Sequence, residues 1–248
     1  MTWDITITLA ARSLWGARPG HLRPVQIVAD LMSPIIYDEA EPLMLDGALQ
    51  SAVVRLVTGM EPSDAFLDHV GPSDIPIPIG VGLVHNLAVP RVSQAFFGTP
   101  PIPAIRTVRK STDVDALGLD EVKTAFGPYK SHLIPKAGVI APWVCWYALA
   151  DVERLRGLLP NVLFLGRSRG QGMGAVVSWA VAEIDEDWSW EFAGNPTRPL
   201  PAATGPVVGF RAPHWHPDNR TPCSLHNPAG PRPPIDGCAL EPVAQLMF

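Results

Sequence analysis

The residues best suited to chemistry lie in one nine-residue run, GRSRGQGMG, from Gly166 to Gly174. Gly166, Gly170, Gly172 and Gly174 let backbone amides approach an anionic ligand closely. Arg167 and Arg169 add planar guanidinium forks that match phosphate oxygens. Ser168 and Gln171 supply neutral hydrogen-bonding groups, and Gln171 can reach a base edge. Between Asn161 and Ala182 these arginines have no acidic neighbour in sequence. The run is not a P-loop, because no Gly-Lys-Ser/Thr follows it. It is a poor dinucleotide fingerprint, because it precedes a strand-like segment and opens no helix. A plain helix-to-strand connection is the competing structural reading.

Other constellations are weaker. His214, His216, Cys223, His226 and Cys238 form a loose His/Cys group in a proline-rich stretch. No paired C-x-x-C accompanies it, so zinc is not expected and no cofactor is assigned. Ser189 and Asp187 suggest a hydrolase triad, yet no G-x-S-x-G elbow is present. The acidic run Glu183 to Asp187 reads as a strand end followed by a solvated turn. A small-molecule enzyme built on Asp185 to Asp187 is the outside reading. Trp143, Trp146 and Trp179 read as core. Trp15, beside Arg18, and Trp215, beside Arg211, sit in loop-like segments where an aromatic or guanidinium plane can stack on an unpaired base.

Elements must position these groups. Trp3 to Leu9 alternates and predicts a strand, with a loop over 10–24. Val25 to Tyr37 predicts a second strand. Leu45, Leu49, Ala52, Val53 and Leu56 predict a helix within Leu43 to Met60, with Asp46 near its start and Gly59 at its stop. Ile77 to Val89 and Val139 to Leu149 predict strands. Asp151 caps a short helix to Leu159, and Ala175 to Ile184 predicts the strand after the glycine loop. Residues 90–136 read as a thumb-like insertion. Residues 195–248 read as a proline-rich extension that needs partners to become ordered. Without the insertion the order is strand, helix, strand, strand, helix, strand. That is an α+β pattern, ferredoxin-like (RRM-like), with helices on one face of an antiparallel sheet and the other face open.

Composition bounds the rest. The chain has 248 residues, 47% of them hydrophobic, so one elaborated domain is expected over 1–248. No run approaches the roughly 18 apolar residues of a membrane span, and the N-terminal segment lacks the pattern of a signal peptide. A cytoplasmic protein is expected. The net charge of -5 argues against a free nucleic-acid binder. The charge is polarised, however, with acids gathered between Asp38 and Asp74. The insertion carries Arg106, Arg109, Lys110, Lys123, Lys130 and Lys136, against the acids Asp113, Asp115, Asp120 and Glu121. One basic face, with other faces against partner subunits, fits that distribution.

The ordered set of motifs adds a family resemblance. LDGAL (Leu45 to Leu49) opens the first helix. WVCWYALADVERLRGLL (Trp143 to Leu159) leads into FLGRSRGQGMGAVVSWAVAEIDEDWSW (Phe164 to Trp190), and NPTRPLP (Asn195 to Pro201) follows. A basic glycine-rich loop between the last helix and last strand resembles the RAMP superfamily of CRISPR-associated proteins. With its flanks it is similar to the type IV CRISPR subunit that binds the 5′ handle of the guide RNA. The resemblance covers roughly residues 25 to 220. It implies a non-catalytic RNA-binding subunit that caps a filament of backbone subunits. Its partners would be guide RNA, the backbone and large subunits, and possibly target DNA, with no membrane partner. By position, Arg167, Ser168, Arg169, Gly170, Gln171 and Gly172 would contact RNA. Arg106, Arg109, Lys110, Lys130 and Lys136 match the family's thumb in location, and Trp15, Arg18 and Arg211 are further candidates. The alternative is a metal-independent endoribonuclease that processes CRISPR precursor RNA, for which the sequence offers no clear acid–base constellation.

Overall fold

Three helices and fifteen short strands make up a computed structural model that describes residues 5–37, 41–59, 75–97, 100–110, 132–234 and 241–243. The helices are α1 (Ile5–Trp15), α2 (Leu45–Thr58) and α3 (Val152–Leu158). The strands are β1 (Leu22–Leu31), β2 (Ile35–Ile36), β3 (Val81–Val84), β4 (Leu87–Pro90), β5 (Phe96–Phe97), β6 (Ile102–Lys110), β7 (His132–Ile140), β8 (Trp143–Asp151), β9 (Val176–Glu183), β10 (Glu191–Phe192), β11 (Asn195–Pro196), β12 (Leu200–Pro201), β13 (Val207–Gly209), β14 (Arg220–Ser224) and β15 (Glu241–Val243). Mixed helices and antiparallel sheets make the fold α+β. No helix among the described residues is long and apolar enough to cross a membrane.

The main sheet has the order β15-β9-β1-β8-β5, antiparallel throughout. Strand β1 is central. It pairs with β8 from Leu22↔Asp151 to Asp30↔Trp143, and with β9 from Val25↔Glu183 onward. A strand flanked on both sides and covered on both faces must be apolar in sequence, as VQIVA (residues 25–29) is. Val25, Ile27 and Ala29 point to one face with Trp146, Ala148, Trp179 and Val181. Leu45, Leu49, Ala52 and Val53 of α2 and Leu155 and Leu158 of α3 close over them. Each buried Val, Leu or Ile side chain among them contributes about 1.5–3 kcal/mol by leaving water.

Helix α2 follows its apolar spacing and stops where expected. Gly59 takes φ 68°, and its N–H returns to the Arg55 carbonyl at 2.9 Å. Asp151 caps α3 by accepting from the Arg154 N–H.

Four expectations change. Residues 5–9 belong to α1 and form no strand. ITITL alternates for too few residues to outweigh the helix-forming AARSL that follows, which places Ala11 and Trp15 one turn apart against the core. Arg154 then completes the turn, donating to the Ser13 carbonyl at 2.7 Å and also to Gly16. Residues 77–89 form no single strand but lead into the hairpin β3–β4, which ends at Pro90. His85 (φ 49°) and Asn86 (φ 65°) supply the two left-handed residues that a tight hairpin turn requires.

The other two changes concern coverage. The second face of the sheet, expected open, is covered. Gln26, Val28, Cys145 and Tyr147 are buried there; Trp188 packs edge-on against Tyr147, whose hydroxyl donates to the Pro234 carbonyl at 2.8 Å. The described part of the proline-rich extension is folded onto the core. Strand β14 pairs with β12 and with β13, and Phe210 and Cys223 are buried. The remainder of the extension, including Cys238, lies outside the described residues, apart from β15 on the sheet edge.

Candidate anion-binding loop and its groove

The glycine loop hangs from the exit of β1. Arg167 N–H donates to the Ile36 carbonyl at 2.7 Å and Gly174 N–H to the Pro34 carbonyl at 2.8 Å. The Ser33 hydroxyl donates to the Gly172 carbonyl and accepts from the Ala175 N–H, both at 2.8 Å. Both arms are therefore pinned by the Ser33 to Ile36 segment.

The four glycines divide into two kinds. A Cβ on Gly174 (φ 69°) would lie 1.9 Å from the Leu165 carbonyl oxygen, and one on Gly166 (φ 74°) 2.6 Å from that of Ile36. These two close the loop. Gly170 and Gly172 face open space, with nothing within 4 Å of an added Cβ. Residues 169–171 form one turn of 3-10 helix after Ser168, which is itself left-handed at φ 61°. The Ser168, Arg169 and Gly170 amides meet no acceptor among the described residues. A left-handed residue followed by a helical turn presents successive N–H groups to an anion. Gly174→Ala is expected to destabilise by more than about 2 kcal/mol, since a left-handed L-residue costs about 1–2 kcal/mol before any clash. Gly170→Ala is expected to leave the urea midpoint unchanged. Equal midpoints for the two variants would contradict this division.

Arg167 and Arg169 are both exposed. Although Arg167 has no acid near it in sequence, it has one in space. Glu41 receives Arg167 at 3.0 Å and Arg220 at 2.8 Å. Arg169 has no ion pair among the described residues. A cavity of about 190 Å³ lies beside the loop, lined by Tyr37, Glu41, Gly47, Arg167, Arg169 and His214.

Behind that cavity sits a buried charge cluster, which the sequence reading missed. Asp46, expected only as a helix-start residue, is fully buried and accepts from His214 Nε2 at 2.9 Å. Arg198 is fully buried 3.7 Å from the other carboxylate oxygen. It donates to the Pro90 and Val92 carbonyls, at 2.5 and 2.8 Å, and to that of Phe210. Burial raises the Asp46 pKa, but the charge and hydrogen bond of His214, and then Arg198, outweigh it and lower the carboxyl to about 2. Asp151 is likewise lowered to about 2, mainly by hydrogen bonds from Arg18.

Both native pKa values lie below the unfolded carboxyl value of about 3.9. The stability these pairs contribute is therefore complete above about pH 4 and is lost as pH falls toward 2. The urea midpoint is expected to hold between pH 7 and 5 and to drop steeply between about pH 4 and 2. A midpoint unchanged at the acid end would contradict this.

The sequence candidates separate in space. Arg106 on β6 stands opposite Lys136 on β7. Like charges directly opposite destabilise a hairpin unless an anion lies between them. This hairpin reaches the loop through β2: Ile36 pairs with Gly138 of β7 on one side and bridges to Arg167 on the other. Arg109 and Lys110 lie in β6, and Lys130 lies outside the described residues. Trp15 and Arg18 are elsewhere. Arg18 is engaged by Asp151 and Glu153, opposite Leu22 at the start of β1. Ten strand residues, about 30 Å, separate that end from the loop. Trp15 packs against the core. Arg211 donates to Asn219 Oδ1 at 2.6 Å and covers Phe210.

Asp187 pairs with Arg91, and Ser189 accepts from Arg91 Nε at 3.2 Å. Cys145 is buried, which pushes its thiol up to about 12. Among the described residues no three His, Cys, Asp or Glu side chains are placed to hold a metal ion.

No family model matches this chain, and no curated protein matches it. A solved chain described as "CRISPR RNA-guided surveillance complex" is similar over 66% of this chain and 70% of its own length, at 11% identity and a TM-score of 0.28.

Proposed function

We propose that this protein is a non-catalytic RNA-binding subunit of a type IV CRISPR ribonucleoprotein, of the RAMP superfamily. It holds the 5′ repeat-derived handle of the guide RNA and caps the backbone filament in the cytoplasm. The carrying observation is the loop tip. Three amides, at Ser168, Arg169 and Gly170, are unpartnered among the described residues, flanked by two exposed arginines, on a turn pinned at both arms. The ordered motifs around it supply the family reading. The strand order β9-β1-β8-β5 supports an RRM-like core, with β5 (Phe96–Phe97), inside the range 90–136, as its edge strand; the basic β6–β7 hairpin that follows would belong to the thumb. With the sheet face covered, RNA contact falls to the loop and to the basic hairpin beyond β2.

The endoribonuclease alternative needs a free acid–base group near the scissile phosphate. His214 is the histidine beside the loop, and its two ring nitrogens face Asp46 and the Gly209 carbonyl. We read it as a strut. Labelled repeat RNA incubated with the protein and its co-expressed partners tests both readings. Retention without cleavage is expected, and specific cleavage without magnesium would replace this function with the alternative.

Glu41 supplies a further test. Its carboxylate competes with RNA for Arg167, so Glu41→Gln is expected to tighten RNA binding severalfold at low salt. Removing an exposed ion-pair partner is worth up to about 1 kcal/mol. Weaker binding by this variant would count against Arg167 as an RNA contact.

A further inference from the structure

A second cavity, of about 450 Å³, adjoins the loop groove, with Tyr37, Pro42 and Leu43 as the shared wall. Its lining is different in kind. Tyr37 and Phe97 are half-buried with ring centroids 6.0 Å apart, and Phe96 meets His226 edge-on at 5.3 Å. The Gln94 carboxamide lines the same space and has no partner among the described residues, although the Gln94 backbone is fixed by its N–H to the Thr197 carbonyl. His226 Nδ1 lies 2.9 Å from the Pro196 carbonyl and 3.0 Å from the Asn195 Nδ2 amide, and Nε2 is unbonded among the described residues. Burial lowers the His226 pKa, which favours the neutral ring, whose Nε2 accepts or donates according to the tautomer.

We propose that this aromatic cavity is a nucleobase subsite, receiving one unpaired base of the RNA whose phosphate lies on the glycine loop. Flat apolar rings offer a stacking surface, Gln94 both donates and accepts, and His226 Nε2 offers one further hydrogen-bonding group. A cationic groove joined to an aromatic pocket matches the two halves of a nucleotide. A proline-rich peptide could also lie on such rings, but it would make no use of Arg167 and Arg169 next door. The proposal rests on the RNA-binding reading of the loop.

The test is fluorescence anisotropy of the full chain with four eight-nucleotide RNA homopolymers. Wild type is expected to prefer one base. Phe97→Ala is expected to weaken that oligonucleotide about tenfold without changing the salt dependence, as loss of one stacked base does. Phe97→Leu keeps apolar volume for folding and should weaken it less. Gln94→Ala should level the four affinities, and Arg167→Ala with Arg169→Ala should weaken all four equally. If Phe97→Ala and Gln94→Ala match wild type while the arginine variant weakens, the base subsite is wrong and the loop reading stands. If no homopolymer binds wild type even at low salt, both fail. If a proline-rich peptide binds through Phe97 and no RNA does, the pocket belongs to a peptide.

Discussion

Alanine at both Arg167 and Arg169 is expected to lower affinity for single-stranded repeat RNA at least tenfold near 0.1 M salt. With two fewer phosphates neutralised on a single strand, the slope of log affinity on log salt should fall by about 1.4. Folding should hold, because both side chains are exposed and the loop is fastened through its backbone. The exposed Arg167–Glu41 pair adds at most about 1 kcal/mol to stability. Thermal melting therefore separates the two effects: an unchanged melting temperature with weakened RNA binding is the expected pair of results. Undiminished RNA retention with an unchanged salt slope would remove the loop from the binding surface.

The largest effect on folding is expected at Arg198. Arg198→Met should cost about 3–5 kcal/mol, the usual range for removing one partner of a buried ion pair. The pair is buried on both sides, and the Pro90, Val92 and Phe210 carbonyls would lose a charged donor. Asp46→Asn alone should also destabilise. In the Arg198→Met background it should cost clearly less, because residues sharing one network couple. Urea midpoints of the four proteins measure this directly. Additive costs would show that Arg198 and Asp46 act independently, which would leave the hydrogen bonds to carbonyls as the whole of the Arg198 effect.

Much of the framework is legible in the sequence. The 3.6-residue spacing from Leu45 to Val53, the Gly59 stop and the Asp151 cap are local signals, and the corresponding elements form as read. The glycine run is legible as a loop, but not the division of labour within it. Gly174 is needed because Leu165 lies behind it, and that contact depends on how the loop closes. The Asp46–His214–Arg198 cluster joins positions up to 168 residues apart, so no spacing rule reaches it. A faint signal exists: an aspartate one residue into an apolar helix face, where burial demands a cationic partner. The Glu41 clasp on Arg167 is hidden for the same reason, being 126 residues away. Trp15 and Arg18 have side chains of the type the loop would use, yet the length of β1 keeps them apart from it.

The two-residue strand Ile35–Ile36 lies between two glycines. A Cβ on Gly138 would come within 2.4 Å of the Ile35 carbonyl oxygen, and one on Gly166 within 2.6 Å of that of Ile36. Nothing softer than backbone separates hairpin, strand and loop at this point. Such a junction transmits displacement with little loss, as a rigid crank does. A displacement of the hairpin would therefore re-aim Arg167 as well.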